Sequence, residues 1–175
     1  MVRTTLIAAL FCIGGLPIFA RSSTSHAKMS DTSFIRTAAQ ANYDEVQLGK
    51  LAQEKASNES VKDFGQKMVT DHSKANADLQ PIASKDNITI PNKMNAKDQA
   101  LYDRLSKLSG SQFDRAYMRA MVKDHQSDVA EFRHESQTAK NADVKSYASK
   151  TLPVLQEHLR SAEDTNAKLG ASAKK

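Results

Sequence analysis

The sequence has little of what would assign it to a common protein class. Its single cysteine, Cys12, lies inside an apolar N-terminal segment, so a chain that loses this segment forms no disulfide. Apolar and polar residues never alternate over a sustained stretch, which argues against a β-sheet. No basic patch is interleaved with aromatic residues, and the formal charge of +5 is spread along the chain, so we expect no nucleic-acid partner.

The first 20 residues have the three regions of a secretory signal peptide. Arg3 provides the positive start, an apolar core runs from Leu6 to Phe19, and cleavage is expected after Ala20 or, as a second candidate, after Ala27. The apolar core has about 14 residues, fewer than the roughly 20 that a membrane helix needs. We therefore expect an exported protein, periplasmic or extracellular, with no stable membrane span after signal removal. An uncleaved anchor is the alternative.

From Asp31 onward, apolar residues recur with the 3.6-residue period of α-helices. After a disordered leader at 21–30, we expect one all-α domain at 31–169 and a flexible tail at 170–175. Four long helices are expected to end near residues 56, 84, 138 and 169, with N-caps at Ser30 or Asp31, Asn58, Ser111 and Asn141. Their predicted core includes Phe64, Met68, Leu79, Tyr117, Met121, Phe132 and Leu155.

The connections between these helices predict how the helices are arranged. The first and third connections are short, so they join antiparallel neighbours. The second connection contains an extended stretch at 87–95 and a short helix at 96–108, which together are long enough to cross the whole bundle. A four-helix bundle with one long crossover, here carrying a short extra helix, has the ferritin-like topology.

A nine-residue motif occurs twice in the chain. Phe64–His72 aligns without gaps on Tyr117–His125, and both segments read aromatic-x-x-x-Met-Val-x-Asp-His. Each histidine follows the apolar methionine by four residues, which places it on or beside the buried face of its helix. Glu45 and His158 lie on the apolar stripes of the first and last long helices, so each long helix offers one polar group near the middle of the core.

This belt of polar groups has two interpretations. Three imidazoles and one carboxylate, from Glu45, His72, His125 and His158, suit one divalent transition metal such as Zn, Fe, Mn or Cu. Alternatively, the same residues form a purely structural polar layer. Asp71 and Asp124 point about 100° away from the neighbouring histidines, so we expect them to support the ligands from outside, or to lie at the surface, rather than to bind the metal.

The sequence resembles the bacterial DUF4142 family over about Asp31 to Leu169. The resemblance rests on the repeated Met-Val-x-Asp-His element, on Phe34, Ala41, Glu45 and Gly49-Lys50-Leu51-Ala52, and on Leu152-Pro153 followed by His158. Members of this family are exported, are often labelled outer-membrane proteins and are grouped with ferritin-like bundles, so the resemblance implies that fold and no established activity. The wider group often holds two metals with Glu-x-x-His motifs. Valine or leucine stands three residues before each predicted histidine ligand here, which makes a single metal site the implied outcome.

These observations lead to two main functional hypotheses. The first is an exported metal-binding bundle that serves metal buffering or stress protection. The alternative is a non-enzymatic structural or interaction protein of the cell envelope, in which the polar layer serves only packing. A metal-dependent enzyme has the least support, because nothing in the sequence marks a substrate cleft or a paired nucleophile and base. The sequence specifies neither a protein partner nor an oligomeric state.

Overall fold

The computed structural model describes residues 30–172. Within that range the chain forms five α-helices and no strand, as the sequence predicted: α1 (Asp31–Lys55), α2 (Glu59–Lys85), α3 (Ala96–Ser106), α4 (Gly110–Thr138) and α5 (Ala142–Ser172). The predicted signal peptide and all but the last residue of the predicted leader lie outside the described residues. Helix α5 extends three residues past the predicted end of the domain.

Three of the expected helix starts are confirmed by capping hydrogen bonds. Side-chain oxygens of Ser30, Asn58 and Asn141 accept backbone N–H groups two or three residues ahead, at 2.8–3.1 Å. The expected cap at Ser111 is wrong, because α4 already begins at Gly110, whose φ of +56° lies in the left-handed region. Glycine adopts that conformation without the steric cost that a side chain adds. Ser109 precedes the helix in an extended conformation, and its side chain makes no capping hydrogen bond.

Two hydrophobic clusters show the direction of each long helix. The first cluster joins the start of α1, the end of α2, the end of α4 and the start of α5, through residues that include Phe34, Leu79, Phe132 and Tyr147. The second joins the opposite helix ends, through residues that include Leu48, Phe64, Phe113 and Ala162. The long helices therefore run up, down, down and up, and the connection through α3 crosses the bundle. This is the ferritin-like arrangement that the loop lengths predicted, and all seven predicted core residues are buried.

Aspartates at the starts of α1 and α4 tie each helical hairpin to the other. Asp114 accepts hydrogen bonds from the backbone N–H groups of Ser57 and Asn58 and from the Ser57 hydroxyl, at 2.6–3.1 Å. Asp31 accepts backbone N–H groups of the α4–α5 turn at 2.6–3.2 Å. Each carboxylate thus accepts hydrogen bonds from backbone N–H groups in the turn of the opposite hairpin. These bonds fix the relative height of the two hairpins.

Glycines let α1 and α2 approach each other closely near the middle of the bundle. A Cβ atom added to Gly49 would lie 2.6 Å from the carbonyl oxygen of Gly65, and one added to Gly65 would lie 2.8 Å from that of Gly49. The two helix backbones leave no space for a side chain at this point. Gly49 follows Glu45 by one helical turn, so this contact sets how far Glu45 lies from α2.

Candidate metal centre

The four predicted ligands come together in one polar layer between the two hydrophobic clusters. Glu45 on α1, His72 on α2, His125 on α4 and His158 on α5 are all 0–4% exposed. One ring nitrogen from each histidine lies within 4.8 Å of those of the other two. His158 is part of the layer, because its Nδ1 is 3.3 Å from Nε2 of His125.

Hydrogen bonds outside the centre orient two of the three rings. Nδ1 of His72 donates to Oδ1 of Asn42 at 2.9 Å, and Nδ1 of His125 donates to the carbonyl oxygen of Met121 at 3.0 Å. The amide nitrogen of Asn42 donates in turn to side chains on α2 and α5, which leaves its oxygen as the acceptor for His72. A neutral imidazole carries one ring proton, so Nε2 of both histidines keeps its lone pair.

A carboxylate orients the third ring. Nε2 of His158 donates to Oδ2 of Asp71 at 2.8 Å, so Nδ1 of His158 keeps the lone pair. The lone pairs of His125 and His158 therefore face each other across 3.3 Å. Two lone pairs repel at that distance unless a cation or an extra proton lies between them. Metal-binding histidines are oriented by the same kind of outer hydrogen bond.

Glu45 faces the three rings without a regular hydrogen bond. Both of its carboxylate oxygens and Nε2 of His72 are buried and lack hydrogen-bond partners. Oε2 lies directly against Nε2 of His72, and Oε1 is 3.6 Å from Nδ1 of His125. Burial opposes ionisation of Glu45, but the adjacent His125 and His72 lower its pKa to about 2, so it is ionised at neutral pH. An ionised carboxylate in a protein core is costly unless a cation compensates its charge.

Burial keeps two of the rings in the form that binds metals. It lowers the pKa of His125, and it lowers the pKa of His158 to about 4 against the opposing effect of the hydrogen bond to Asp71. Both rings are therefore unprotonated at neutral pH, and neutral imidazole is the metal-binding form of histidine. Chemically, the layer is a set of neutral nitrogen donors beside one anionic oxygen donor.

The two aspartates of the repeated motif have different surroundings. Asp71 binds His158 on α5 and not its sequence neighbour His72. Asp124 points away from the rings toward α3, where its Oδ1 is 3.5 Å from Nζ of Lys97. The difference arises because α2 packs beside α5, whereas α4 has α3 beside it. The sequence repeat therefore does not give the two aspartates equivalent roles.

Two residues of the layer were not predicted from the sequence. Asn42 accepts the ring proton of His72, and Asp128 offers a carboxylate oxygen within 4.8 Å of ligand atoms of Glu45 and His125. Their spacing in the sequence could have identified both residues. Asn42 precedes Glu45 by three residues and Asp128 follows His125 by three, so each lies on the same helix face as the predicted ligand. An acidic residue that interrupts an apolar stripe, as Asp128 does, indicates a polar environment in the core.

The sequence matches a known protein family over most of its length. Residues 18–165 match the family described as Domain of unknown function (DUF4142). The chain belongs to this family. No protein of curated function matches the sequence of this DUF4142 protein. None of the helices described at 30–172 is both long and apolar enough to cross a membrane.

Solved structures share the bundle of this DUF4142 protein at low sequence identity. A DUF305 fragment from Deinococcus radiodurans aligns with a TM-score of 0.69 at 14% identity, over 79% of this chain and 95% of its own. CopM in the Cu(II)-bound form aligns with a TM-score of 0.68 at 15% identity, over 81% and 98% of the two chains. A DUF305 protein from Streptomyces coelicolor aligns with a TM-score of 0.67 at 13% identity, over 81% and 93%. These similarities establish the helical-bundle fold.

Proposed function

We propose that this DUF4142 protein is an exported bundle that binds one divalent transition-metal ion through Glu45, His72, His125 and His158. One observation carries the proposal: each imidazole donates its ring proton in a hydrogen bond to a group outside the centre. Three nitrogen lone pairs and a carboxylate without a regular hydrogen bond are left inside it. A purely structural polar layer would pair such groups with one another. Here the imidazoles donate hydrogen bonds to groups outside the layer, while inside it Glu45 lies against Nε2 of His72 and Nε2 of His125 faces Nδ1 of His158. A cation would be a common partner for these inward-facing acceptor atoms.

The donor set favours copper(II) and zinc(II) among the divalent ions. Imidazole nitrogen and carboxylate oxygen are ligands that both ions accept in four-coordinate sites. For a given set of such ligands, Cu²⁺ binds most tightly of the first-row divalent metals. The two positive charges would compensate Glu45 and also Asp71, which is hydrogen-bonded to His158. We therefore expect the highest affinity for Cu²⁺, a lower one for Zn²⁺, and weaker binding of Fe²⁺ and Mn²⁺.

CopM provides a precedent for metal binding in this fold. It has been solved with Cu(II), with Cu(I) and with Ag, at 15–17% identity to this chain. Soft ions such as Cu(I) and Ag favour thioether ligands. In this protein Met68 and Met121 belong to the hydrophobic cluster beside the layer, and we assign them to packing. The proposed centre is thus one of nitrogen and oxygen donors, which suits a divalent ion.

The closed surroundings of the centre support storage or buffering of metal rather than catalysis. Catalytic metal sites keep an open position for water or substrate. Here four side chains from four helices converge, and Phe64 packs edge-on against His125 and His158, with ring centroids 6.1 and 6.5 Å apart. With its expected signal peptide, the protein would act outside the cytoplasm, where it would buffer metal ions or protect the cell from an excess.

Metal titration of the mature chain, purified without a histidine tag, tests the proposal. We expect one Cu²⁺ per chain and a higher melting temperature with metal. At a free metal concentration 100 times Kd, binding should stabilise the fold by about 2.7 kcal/mol. His72→Ala and His125→Ala should abolish this binding. His134→Ala is the matched control, because the His134 side chain is 47% exposed and lies outside the layer.

Two results would contradict the proposal. One is a wild-type chain that binds no metal at micromolar concentration. The other is binding that survives in both layer variants, or that is lost equally in His134→Ala, since the metal would then sit elsewhere. In either case the polar layer is structural, and the alternative function as a structural or interaction protein of the envelope is supported.

A further inference from the structure

An acidic cleft of about 390 Å³ opens to solvent beside the centre, where α1, α3 and α4 meet. Its carboxylates come from Asp98, Asp124, Asp128 and Glu131. Asp98 is only 7% exposed, and one oxygen of Asp98 and one of Glu131 are buried without a hydrogen bond. The cleft therefore presents negative charge that its own hydrogen-bond donors do not satisfy.

A lysine side chain lies where a cation would bind in this cleft. Nζ of Lys97 is 3.5 Å from Oδ1 of Asp124 and 3.8 Å from Oδ1 of Asp98, while 77% of the Lys97 side chain is exposed. Arg36 and Lys97 are the two cations that line the cleft, against four acidic side chains, so acidic groups are in excess and a divalent ion can displace the exposed ammonium group of Lys97.

Asp128 connects the cleft with the buried centre. Its side chain is half-buried and lines the cleft, and one of its oxygens lies within 4.8 Å of ligand atoms of both Glu45 and His125. Glu45, at 1% exposure, has two carboxylate oxygens without hydrogen bonds. One of them faces His72 and the other lies on the His125 side. Glu45 can therefore bind an ion held by Asp128 while still contacting the histidine layer.

The opposite side of the centre is less suitable for an incoming cation. There Asp71 accepts the Nε2 proton of His158, and Nζ of Lys67 lies 3.6 Å from the same carboxylate oxygen. An ion that arrives on this side meets an occupied carboxylate, a positive charge and a ring N–H group instead of a lone pair. The two sides of the layer are thus electrostatically different.

We propose that Asp128 and Glu45 form an outer binding site for a divalent cation, through which metal passes from the acidic cleft to the histidine layer. This inference rests on the proposed metal centre and adds the route by which the centre is filled. The acidic cleft attracts the hydrated ion, Asp128 binds it first, and Glu45 transfers it to the three lone pairs. Asp128 therefore governs the rates of binding and release more strongly than it governs the final affinity.

Stopped-flow mixing with CuCl₂ tests this route, with quenching of tyrosine fluorescence as the signal, since the chain has four tyrosines and no tryptophan. Release is followed by mixing the Cu²⁺-loaded protein with excess EDTA. In Asp128→Asn, which keeps the side-chain shape, both rate constants should fall by roughly tenfold, the lower end of electrostatic effects on association, while Kd changes much less. Lys97→Gln should bind Cu²⁺ faster than wild type, because the competing ammonium group is removed. Asp164→Asn makes the same charge change at an exposed position of α5 and should leave both rates near those of wild type.

The outcomes separate this inference from the proposed function. If wild type binds Cu²⁺ but Asp128→Asn associates as fast as the Asp164→Asn control, the route is wrong and the metal centre stands. If Asp128→Asn binds at the normal rate but releases Cu²⁺ faster, Asp128 is a permanent ligand, and the route is again wrong. If wild type binds no Cu²⁺ at equilibrium, the centre and the route fail together.

Discussion

The close approach of α1 and α2 leads to a prediction that joins stability to metal binding. Gly49→Ala adds a single methyl group to a helix, which normally stabilises the helix by about 1 kcal/mol. In this structure the new Cβ would lie 2.6 Å from the carbonyl oxygen of Gly65 and 3.1 Å from side-chain atoms of Met68 and Val69. Ordinary contact begins at 3.4 Å, so the two helices must separate by about 0.8 Å at this point.

The atom that the new methyl group meets decides whether the gain in helix propensity or the cost of overpacking is larger. Overpacking costs roughly 1–3 kcal/mol, and the cost is higher when the blocking atom belongs to a backbone that cannot rotate away. After the gain in helix propensity, we expect Gly49→Ala to lose about 1–2 kcal/mol of unfolding free energy. Glu45 lies one turn from Gly49, and metal sites require their ligands within about 0.5 Å of the binding geometry. The affinity for Cu²⁺ should therefore fall by roughly tenfold or more.

Gly170→Ala provides the control, because a Cβ atom at Gly170 of α5 meets nothing within 4 Å. This variant should be as stable as wild type or slightly more stable, with unchanged Cu²⁺ affinity. Urea unfolding followed by circular dichroism gives the stability, and calorimetric titration gives the affinity. A Gly49→Ala midpoint that moves in the same direction and by the same amount as that of Gly170→Ala would refute the packing argument.

Three further predictions concern the core, a turn and the pH dependence. Met68→Ala and Met121→Ala remove side chains that are 0% exposed and should each cost roughly 2–5 kcal/mol in urea unfolding; unchanged midpoints would contradict their place in the core. Asp114→Ala leaves the α1–α2 turn without its acceptor and should cost about 2–3 kcal/mol by the same measurement, whereas no loss would mean that water replaces the carboxylate. Burial lowers the pKa of His158 to about 4, so between that pH and its ordinary 6.5 the unfolded chain binds more protons than the folded chain. The stability advantage of metal-free wild type over His158→Asn should therefore be complete above pH 6.5 and shrink by up to about 3 kcal/mol as the pH falls to 4; a constant difference would contradict a buried neutral ring.

Periodicity and loop length were sufficient to predict the fold. An apolar stripe at helical spacing determines which face of a helix is buried, whatever its partner, and Met68 and Met121 are buried as their spacing required. The connection at 86–95 together with α3 is long enough to cross the bundle, and the structure shows that it does so. The start of α4 could not be placed correctly, since the serines on both sides of Gly110 are equally good caps by sequence. In the structure the helix starts at Gly110, after Ser109.

The sequence by itself determined that one polar group from each long helix lies near the middle of the core, because spacing along a helix sets both face and height. Only the tertiary structure decided what surrounds each group, since this depends on which helices are neighbours. Asp71 and Asp124 occupy the same position in the repeated motif, yet one binds the ring of His158 and the other borders an open acidic cleft. The directions of the ring protons of His72 and His158 are likewise tertiary properties, because their acceptors lie on other helices, whereas His125 donates within its own helix. No local pattern in the sequence encodes the two contacts that cross between helices, from His72 to Asn42 and from His158 to Asp71.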